Sequence, residues 1–129
     1  MVSGPCGEKV GHYEIVPEER VSEKMATRTW IRWLIRDSDG APTFAMRMFR
    51  VEPGGHIKGH RHPWEHEIFV LDGIGDVRIG SRVYRVTRGF FLYIPPNVEH
   101  EYWNRGDRDL VFLCLIPNKP SAEDKPVEC

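Results

Sequence analysis

The chain has 129 residues, of which 40% are hydrophobic, and its 18 basic residues almost balance its 19 acidic residues. This length supports one domain with a single ordinary core. Balanced charge argues against nucleic acid as the main partner, because phosphate binding needs a clustered excess of cations. No apolar stretch is long enough to cross a bilayer. We therefore expect neither a nucleic-acid partner nor a membrane partner.

The N-terminal residues and the cysteines bear on the cellular compartment. Residues 1–16 contain Gly, Pro and charged residues but lack the apolar run of a secretory signal. The three cysteines, Cys6, Cys114 and Cys129, are far apart and form no Cys-x-x-Cys pair. This distribution favours neither a disulfide framework nor a thiolate zinc site. A reducing, cytoplasmic location is expected.

The chain divides by composition into two terminal segments and a middle. Residues 1–26 are expected to form a partly ordered N-terminal arm, in which 18–26 is the one helical candidate. Residues 118–129 are rich in proline and charge, which predicts a flexible C-terminal tail. Residues 27–117 alternate between strand-forming runs and turn residues. The predicted strands are 27–35, 44–51, 67–71, 75–79, 82–86, 90–94, 100–103 and 110–116.

This pattern of strands predicts the fold class. The strands recur about every eight to twelve residues, with turn residues such as Pro53-Gly54-Gly55 and Gly80-Ser81 between them. Short, regularly spaced strands without a long helix are typical of a sandwich or barrel. We expect an all-β fold of the jelly-roll barrel type, whose mouth can admit a ligand.

Histidines are the most informative feature of the middle segment. His60, His62 and His66 lie within seven residues, and His100 follows about one small β-sheet later. Alternation along a strand directs His60 and His62 to the same side. A third imidazole beyond the break at Pro63 can turn back to meet them. The spacing indicates a metal site that takes its fourth ligand from a distant strand.

Two spaced strings of residues surround these histidines. The first string is Gly54, His60, His62, His66 and Gly73, and the second is Gly89, Pro95, Asn97, His100 and Asn104. They resemble the two sequence motifs of the cupin superfamily, each matching four of five marked positions over residues 44–117. The resemblance implies a cupin jelly-roll β-barrel, also called a double-stranded β-helix.

The chain departs from the family motifs at two positions. His66 stands where the family usually has a carboxylate ligand. The number of residues between His66 and Gly73 equals the family interval, whereas the interval from Glu67 to Gly73 is one residue too short. Neighbours on a strand face opposite sides, so an inward His66 places Glu67 outward. Asn97 replaces a motif glycine, and asparagine tolerates a left-handed backbone better than most residues.

The first motif is similar to that of small single-domain cupins with an all-histidine site. This resemblance implies a manganese ion bound by His60, His62, His66 and His100, and a homodimer that exchanges an N-terminal strand. Ligand type alone also admits iron, cobalt, nickel, copper or zinc. Four neutral ligands on an octahedral ion leave two positions open for water, dioxygen or a chelating anion.

Such a site is compatible with more than one function. We expect a metal-dependent oxidoreductase, dioxygenase-like, that acts on a small chelating organic substrate. One alternative is a non-oxidative isomerase or lyase acting on a sugar acid. Another is a non-catalytic module that binds a metal or a small molecule. Tyr102 is the candidate catalytic residue, because alternation places it on the same face as His100.

Several other residues keep two interpretations at this point. Cys114 is either a small buried hydrophobe or a neighbour of the metal, because either face of strand 110–116 could line the lumen. His56 is either a solvated loop residue or a group close to the ligands. Five arginines are expected on a solvated or barrel-edge face; they are Arg28, Arg32, Arg36, Arg47 and Arg50.

Overall fold

The structure is a computed structural model that describes residues 2–129, and over that range it is almost entirely β. Two 3-10 turns, Tyr13–Ile15 and Asp37–Asp39, are its helical segments. The all-β class predicted from the sequence is therefore confirmed. The strands are β1 (Val2–Ser3), β2 (Lys9–Val10), β3 (Glu19–Arg20), β4 (Ala26–Ile35), β5 (Phe44–His60), β6 (His66–Asp72), β7 (Ile74–Ile79), β8 (Arg82–Thr87), β9 (Phe91–Ile94), β10 (His100–Asn104) and β11 (Leu110–Pro117).

Nine of these strands form one curled antiparallel sheet. Its main path runs β8-β7-β10-β5-β11-β6-β9, and β4 pairs with β5 on one side and with the short β3 on the other. Strands β1 and β2 make a separate two-stranded sheet. The long β5 contacts β4, β10 and β11, so it joins the parts of the sheet that surround the interior.

The predicted strand 44–51 is too short, because β5 continues through Pro53-Gly54-Gly55 to His60. Gly54 adopts φ +80°, which a side chain would strain. A Cβ on Gly55 would lie 2.5 Å from Val51 Cγ1, so the backbone approaches closely there. Pairing of Ile57 with both Ala26 and Tyr102 keeps the strand in the sheet beyond these glycines. Flanking strands thus override the local turn pattern.

The helix predicted for residues 18–26 is wrong. Glu19 and Arg20 instead pair with Ile31 and Trp30 of β4. A turn follows, in which the amides of Met25 and Ala26 both bond to the Ser22 carbonyl. Open hydrogen-bonding groups along β4 offer this segment more partners than an isolated short helix could provide.

Alternation along the strands separates the core from the outer surface. In β6, His66, Ile68 and Val70 are buried, whereas Glu67 and Phe69 are exposed. In β10, His100, Tyr102 and Asn104 are buried. Apolar residues from β5 to β11 complete a single continuous core, including Val51, Val77, Val86, Ile94, Leu110 and Phe112.

The C-terminal segment after β11 lies against the loop between β5 and β6. Backbone amides of Ser121 and Ala122 donate to the Pro63 carbonyl at 2.9 and 3.3 Å. Asp124 forms an ion pair with Arg61 at 2.8 Å. These bonds connect the end of the chain to the loop that follows His60. Over residues 2–129 no helix is both long enough and apolar enough to span a membrane.

Candidate metal centre

Four histidines predicted as ligands are brought together inside the sheet. His60 ends β5, His66 begins β6 and His100 begins β10. His62 lies in the loop between β5 and β6. The register pairs His100 directly with His60, which closes the distance that separates them in the sequence. We call His60, His62, His66 and His100 the histidine cluster.

The rings of the histidine cluster are mutually close. His100 is central, with ring centroids 4.5 Å from His60, 5.1 Å from His62 and 4.8 Å from His66. Ring nitrogens of His60, His62 and His100 lie within 4.8 Å of one another. The Nε2 atoms of His62 and His66 are 3.0 Å apart. His60, His62 and His100 can therefore each direct one nitrogen at a common point, and His66 adjoins them through its contact with His62.

Hydrogen bonds on the outer side of the rings orient three of these histidines. Nδ1 of His60 lies 2.7 Å from the Lys58 carbonyl, and Nδ1 of His100 lies 2.9 Å from the Val98 carbonyl. The Nδ1 of His62 is 3.3 Å from the Trp64 carbonyl. A carbonyl only accepts, so each Nδ1 carries the proton and Nε2 keeps its lone pair. This arrangement is the usual one for metal-binding imidazoles.

Burial keeps His62, His66 and His100 of the histidine cluster uncharged. Loss of solvation lowers the pKa of His62 from 6.5 to about 4 and that of His100 to about 3, with nearby histidines adding to the effect. Loss of solvation, with contributions from His100 and Arg47, also places the pKa of His66 far below its ordinary value. Neutral imidazole is the form that binds a metal ion, so protons compete weakly for these three rings at neutral pH.

The donor set fits a divalent transition metal. Nε2 of His100 is buried and has no hydrogen-bond partner among residues 2–129. Such an atom is costly to bury without a partner, and an ion would supply one. Two nitrogens that bind one ion about 2.1 Å away and at right angles are about 3.0 Å apart, as the Nε2 atoms of His62 and His66 are.

A largely apolar cavity of about 260 Å³ opens beside the histidine cluster. Phe49, Tyr102 and Phe112 stack in one wall, with centroid distances of 5.3 Å and 5.5 Å along the stack. The Trp64 indole stacks on the His62 ring at 4.2 Å. The other walls of the cavity are formed by Val21, Met25, Ile31, Arg47, Ile57 and Cys114. The cavity suits a small molecule with a flat apolar body.

Cys114 lies at the site, which resolves the two interpretations of this residue. Its Sγ is 3.0 Å from Nδ1 of His66 and 3.0 Å from Nη2 of Arg47. Burial raises the pKa of the thiol, although Arg47 opposes this effect. The sulfur therefore occupies the position that backbone carbonyls hold behind the other three rings.

Arg47 was not among the residues expected at the site. It lines the cavity, contrary to the prediction of a solvated or barrel-edge face, whereas Arg50 on the same strand forms an ion pair with Glu18. Sequence alone did not reveal this because Phe44, Met46 and Met48 form the more uniformly apolar face of the strand. The signal that could have found it is the register, which places Arg47 opposite Cys114 of β11.

The remaining candidates have distinct positions. Tyr102 lines the cavity, and complete burial raises the pKa of its hydroxyl well above 10.0. His56 faces the other side of β5, where it stacks on Trp103 at 5.2 Å and contacts Glu101. Asn97 has φ +66°, the left-handed backbone that the motif requires, and the Nδ2 of its side-chain amide donates to the Glu123 carbonyl. Neither His56 nor Asn97 lines the cavity.

Comparison with known proteins supports the superfamily and the fold. A family model described as "Cupin domain" matches residues 47–116. The polyketide cyclase RemF from Streptomyces resistomycificus is 31% identical with a TM-score of 0.82, over 94% of this chain and 88% of that chain. The cupin-2 domain protein Rru_A2000 from Rhodospirillum rubrum is 24% identical with a TM-score of 0.73, over 95% of this chain and 80% of that chain. The predicted cupin jelly-roll is confirmed by these matches.

A curated relative extends the comparison. The 1-methylthio-D-xylulose 5-phosphate methylsulfurylase of Rhodospirillum rubrum is 31% identical over 86 residues, which is 67% of this chain and 55% of that protein. The chain spans about half the length of the first curated relatives it matches. A methylsulfurylase and a polyketide cyclase are both among the similar proteins, so membership of the superfamily does not by itself define a reaction.

Proposed function

This chain belongs to the cupin family, and we propose that it is a metal-dependent enzyme acting on a small chelating organic substrate. The single observation that carries the proposal is the convergence of four imidazoles at one side of an apolar cavity. In this proposal His60, His62, His66 and His100 hold the ion. We propose manganese because of the resemblance to all-histidine cupins; the ligand type also suits iron, cobalt, nickel, copper and zinc.

Elemental analysis of protein purified without added metal tests the ligand assignment. The parent is expected to contain a stoichiometric divalent ion, and His62→Ala and His100→Ala are expected to lose it. His12→Ala is the matched control, because His12 is exposed and outside the cluster. Retention of the same tightly bound ion by both cluster variants would refute the site.

For the reaction, we propose a non-oxidative closure of a ring within a substrate that carries several ketone groups. A bound divalent ion supplies Lewis acidity toward a carbonyl oxygen. The apolar walls exclude water, and the stacked faces of Phe49, Tyr102 and Phe112 favour a folded, flat substrate over an extended one. The similarity to a polyketide cyclase over 94% of this chain supports this reaction class.

Tyr102 has a defined role in this proposal. Burial keeps its hydroxyl protonated, so it acts as a hydrogen-bond donor to a substrate oxygen rather than as a base. We expect Tyr102→Phe to retain the ion while kcat falls, roughly tenfold or more, because one donor to the reacting oxygen is lost. Unchanged kcat with the same metal content would remove Tyr102 from the mechanism.

An oxygenase-type reaction is the second candidate. Four neutral nitrogen ligands and a dry cavity are also compatible with a dioxygen-dependent oxidoreductase acting on a diketone, catechol or flavonol. The cavity is less suited to a sugar acid, because its walls offer few polar groups to hydroxyls. A non-catalytic binding module would take up the same ligands without turnover.

One experiment separates these reactions. Metal-loaded protein is incubated with an aryl 1,3,5-triketone, with and without dioxygen, and products are identified by mass. When the triketone ends in a methyl ketone, ring closure forms a carbon–carbon bond between the terminal methyl carbon and the ketone carbon next to the aryl group. This closes a six-membered ring, is followed by loss of water, and proceeds without dioxygen. Products that contain added oxygen, formed only in air, would favour the oxygenase. Binding without any product in either condition would favour the non-catalytic module.

We also propose a homodimer in a cytoplasmic, reducing setting. Strands β1 and β2 pair with each other rather than with the main sheet, and Val10, Tyr13 and Ile15 are exposed near them. A second copy would cover such apolar residues. Light scattering after size exclusion is expected to give twice the chain mass for the parent and the single-chain mass for a variant lacking residues 1–11.

A further inference from the structure

Arg47 is a cation inside the cavity without a carboxylate partner among residues 2–129. Its side chain makes two polar contacts, to Cys114 Sγ at 3.0 Å and to His66 Nδ1 at 3.4 Å. Its Nε is buried and has no hydrogen-bond partner. No Asp or Glu side chain is among the residues that line the cavity. The guanidinium therefore keeps a donor that nothing in the described protein uses.

Three other arginines of the sheet are paired with acidic groups. Arg50 contacts both Glu18 and Asp109, Arg78 contacts both Glu99 and Glu101, and Arg85 contacts Asp76. Arg47 has instead two aromatic faces, Phe49 at 5.0 Å and Trp33 at 5.5 Å from its guanidinium carbon. Aromatic faces attract a cation but accept no conventional hydrogen bond from Nε–H.

We propose that Arg47 binds an anionic oxygen of the substrate, a carboxylate or an enolate, beside the histidine cluster. Arg47 is half-buried. Leaving a partly desolvated cation without a charged partner is unfavourable, and a ligand anion removes that penalty on binding. The planar fork of a guanidinium suits the two oxygens of a carboxylate or of a dicarbonyl enolate. This inference deepens the proposed function and rests on it for the identity of the cavity as the substrate site.

The position of Arg47 further defines the substrate class. Its Nη2 is within 3.4 Å of a ring that we assign to the ion, so one small ligand can contact both centres. Apolar and aromatic walls surround the guanidinium. The matching ligand is a compact aromatic or polyketone molecule with an anionic oxygen next to its chelating group.

The test uses benzoate and its uncharged analogue benzamide as probes, with binding followed by calorimetry in chelator-treated, metal-free protein. The parent is expected to bind benzoate at least tenfold more tightly than benzamide. Arg47→Met is expected to lose about tenfold or more of its benzoate affinity and little of its benzamide affinity. Arg85→Met, which removes an exposed cation on β8, is the matched control and is expected to bind like the parent.

Two outcomes would overturn the inference: equal binding of the two probes by the parent, or unchanged benzoate affinity in Arg47→Met. If Arg47→Met does not fold, as judged by circular dichroism, the comparison of probes in the parent decides. Metal content is measured on the untreated preparations. If the parent lacks metal but prefers benzoate, the anion site stands and the metal enzyme is refuted. If the parent contains metal but does not prefer benzoate, the metal enzyme stands and the anion site is refuted.

Discussion

The metal-free protein is expected to lose stability as the pH falls below about 6.5. In the unfolded chain His62 and His100 have the ordinary histidine pKa of 6.5, whereas burial in the fold lowers the pKa to about 4 for His62 and about 3 for His100. The unfolded state therefore binds more protons between these values. Stability is fully present above pH 6.5 and decreases as the pH falls, down to about 4 for His62 and about 3 for His100.

The size of this effect follows from the linkage relation. Each of the two histidines contributes a slope of about 1.4 kcal/mol per pH unit inside its window. From about pH 7.5 to about pH 5 the pair lowers the free energy of unfolding by about 4 kcal/mol. That loss is a large fraction of the roughly 5–15 kcal/mol typical of a folded domain. His66 adds to the loss in the same direction, since its pKa is also lowered.

Urea unfolding of chelator-treated protein at several pH values measures this loss. His100→Gln removes one titrating group and is expected to reduce the slope against pH by about 1.4 kcal/mol per unit. His12→Gln is the control, because His12 is exposed, and should leave the slope unchanged. A free energy of unfolding that is constant between neutral pH and pH 5, or an equal effect of the two variants, would show that burial of the cluster is not what controls acid stability.

Three further predictions concern the backbone and the surroundings of the histidine cluster. Gly73→Ala should lower the free energy of unfolding by roughly 3 kcal/mol or more, because Gly73 has φ +90° and a Cβ there would lie 2.5 Å from the Asp109 carbonyl oxygen. Gly89 has a similar φ of +91° but open space around the Cβ position, so Gly89→Ala should lower the free energy of unfolding by only about 1 kcal/mol in the same urea assay. Deletion of 119–129 removes the hydrogen bonds to Pro63 and should lower the melting temperature and the metal affinity, whereas an unchanged affinity would make these bonds incidental. Cys114→Ala should weaken metal binding about tenfold in a chelator competition, and Cys114→Ser, which keeps an acceptor, should weaken it less.

The sequence predicted the strands of the sheet because their signal is local. Runs of β-branched and aromatic residues between turn residues gave 82–86 and 110–116 within one residue of β8 and β11. Where the outcome depended on neighbouring strands, the prediction failed. The glycines before His56 continue a strand instead of ending it, since β4 and β10 pair with the chain on both sides.

Prediction of the candidate site from the sequence also failed where the outcome depended on neighbouring strands. Motif spacing identified the four histidines, because a family spacing records which positions converge. It could not find Arg47, since the phase of an isolated strand does not reveal which face meets the lumen. Only pairing with β11 places Arg47 beside Cys114 and His66. The position of Arg47 at the site therefore follows from the pairing of β5 with β11 and not from the local sequence pattern.

Charge in the cavity connects the proposed ion to the proposed anion site. Burial keeps His62, His66 and His100 uncharged, so these rings would not compensate a divalent ion. Arg47 adds a further positive charge, and no carboxylate lines the cavity to offset either one. In a weakly polar environment this excess favours ligands that arrive with negative charge or acquire it by losing a proton. An enolisable, chelating substrate is such a ligand, because it becomes negatively charged when it loses a proton. Its enolate oxygens can then be shared between the guanidinium and the ion.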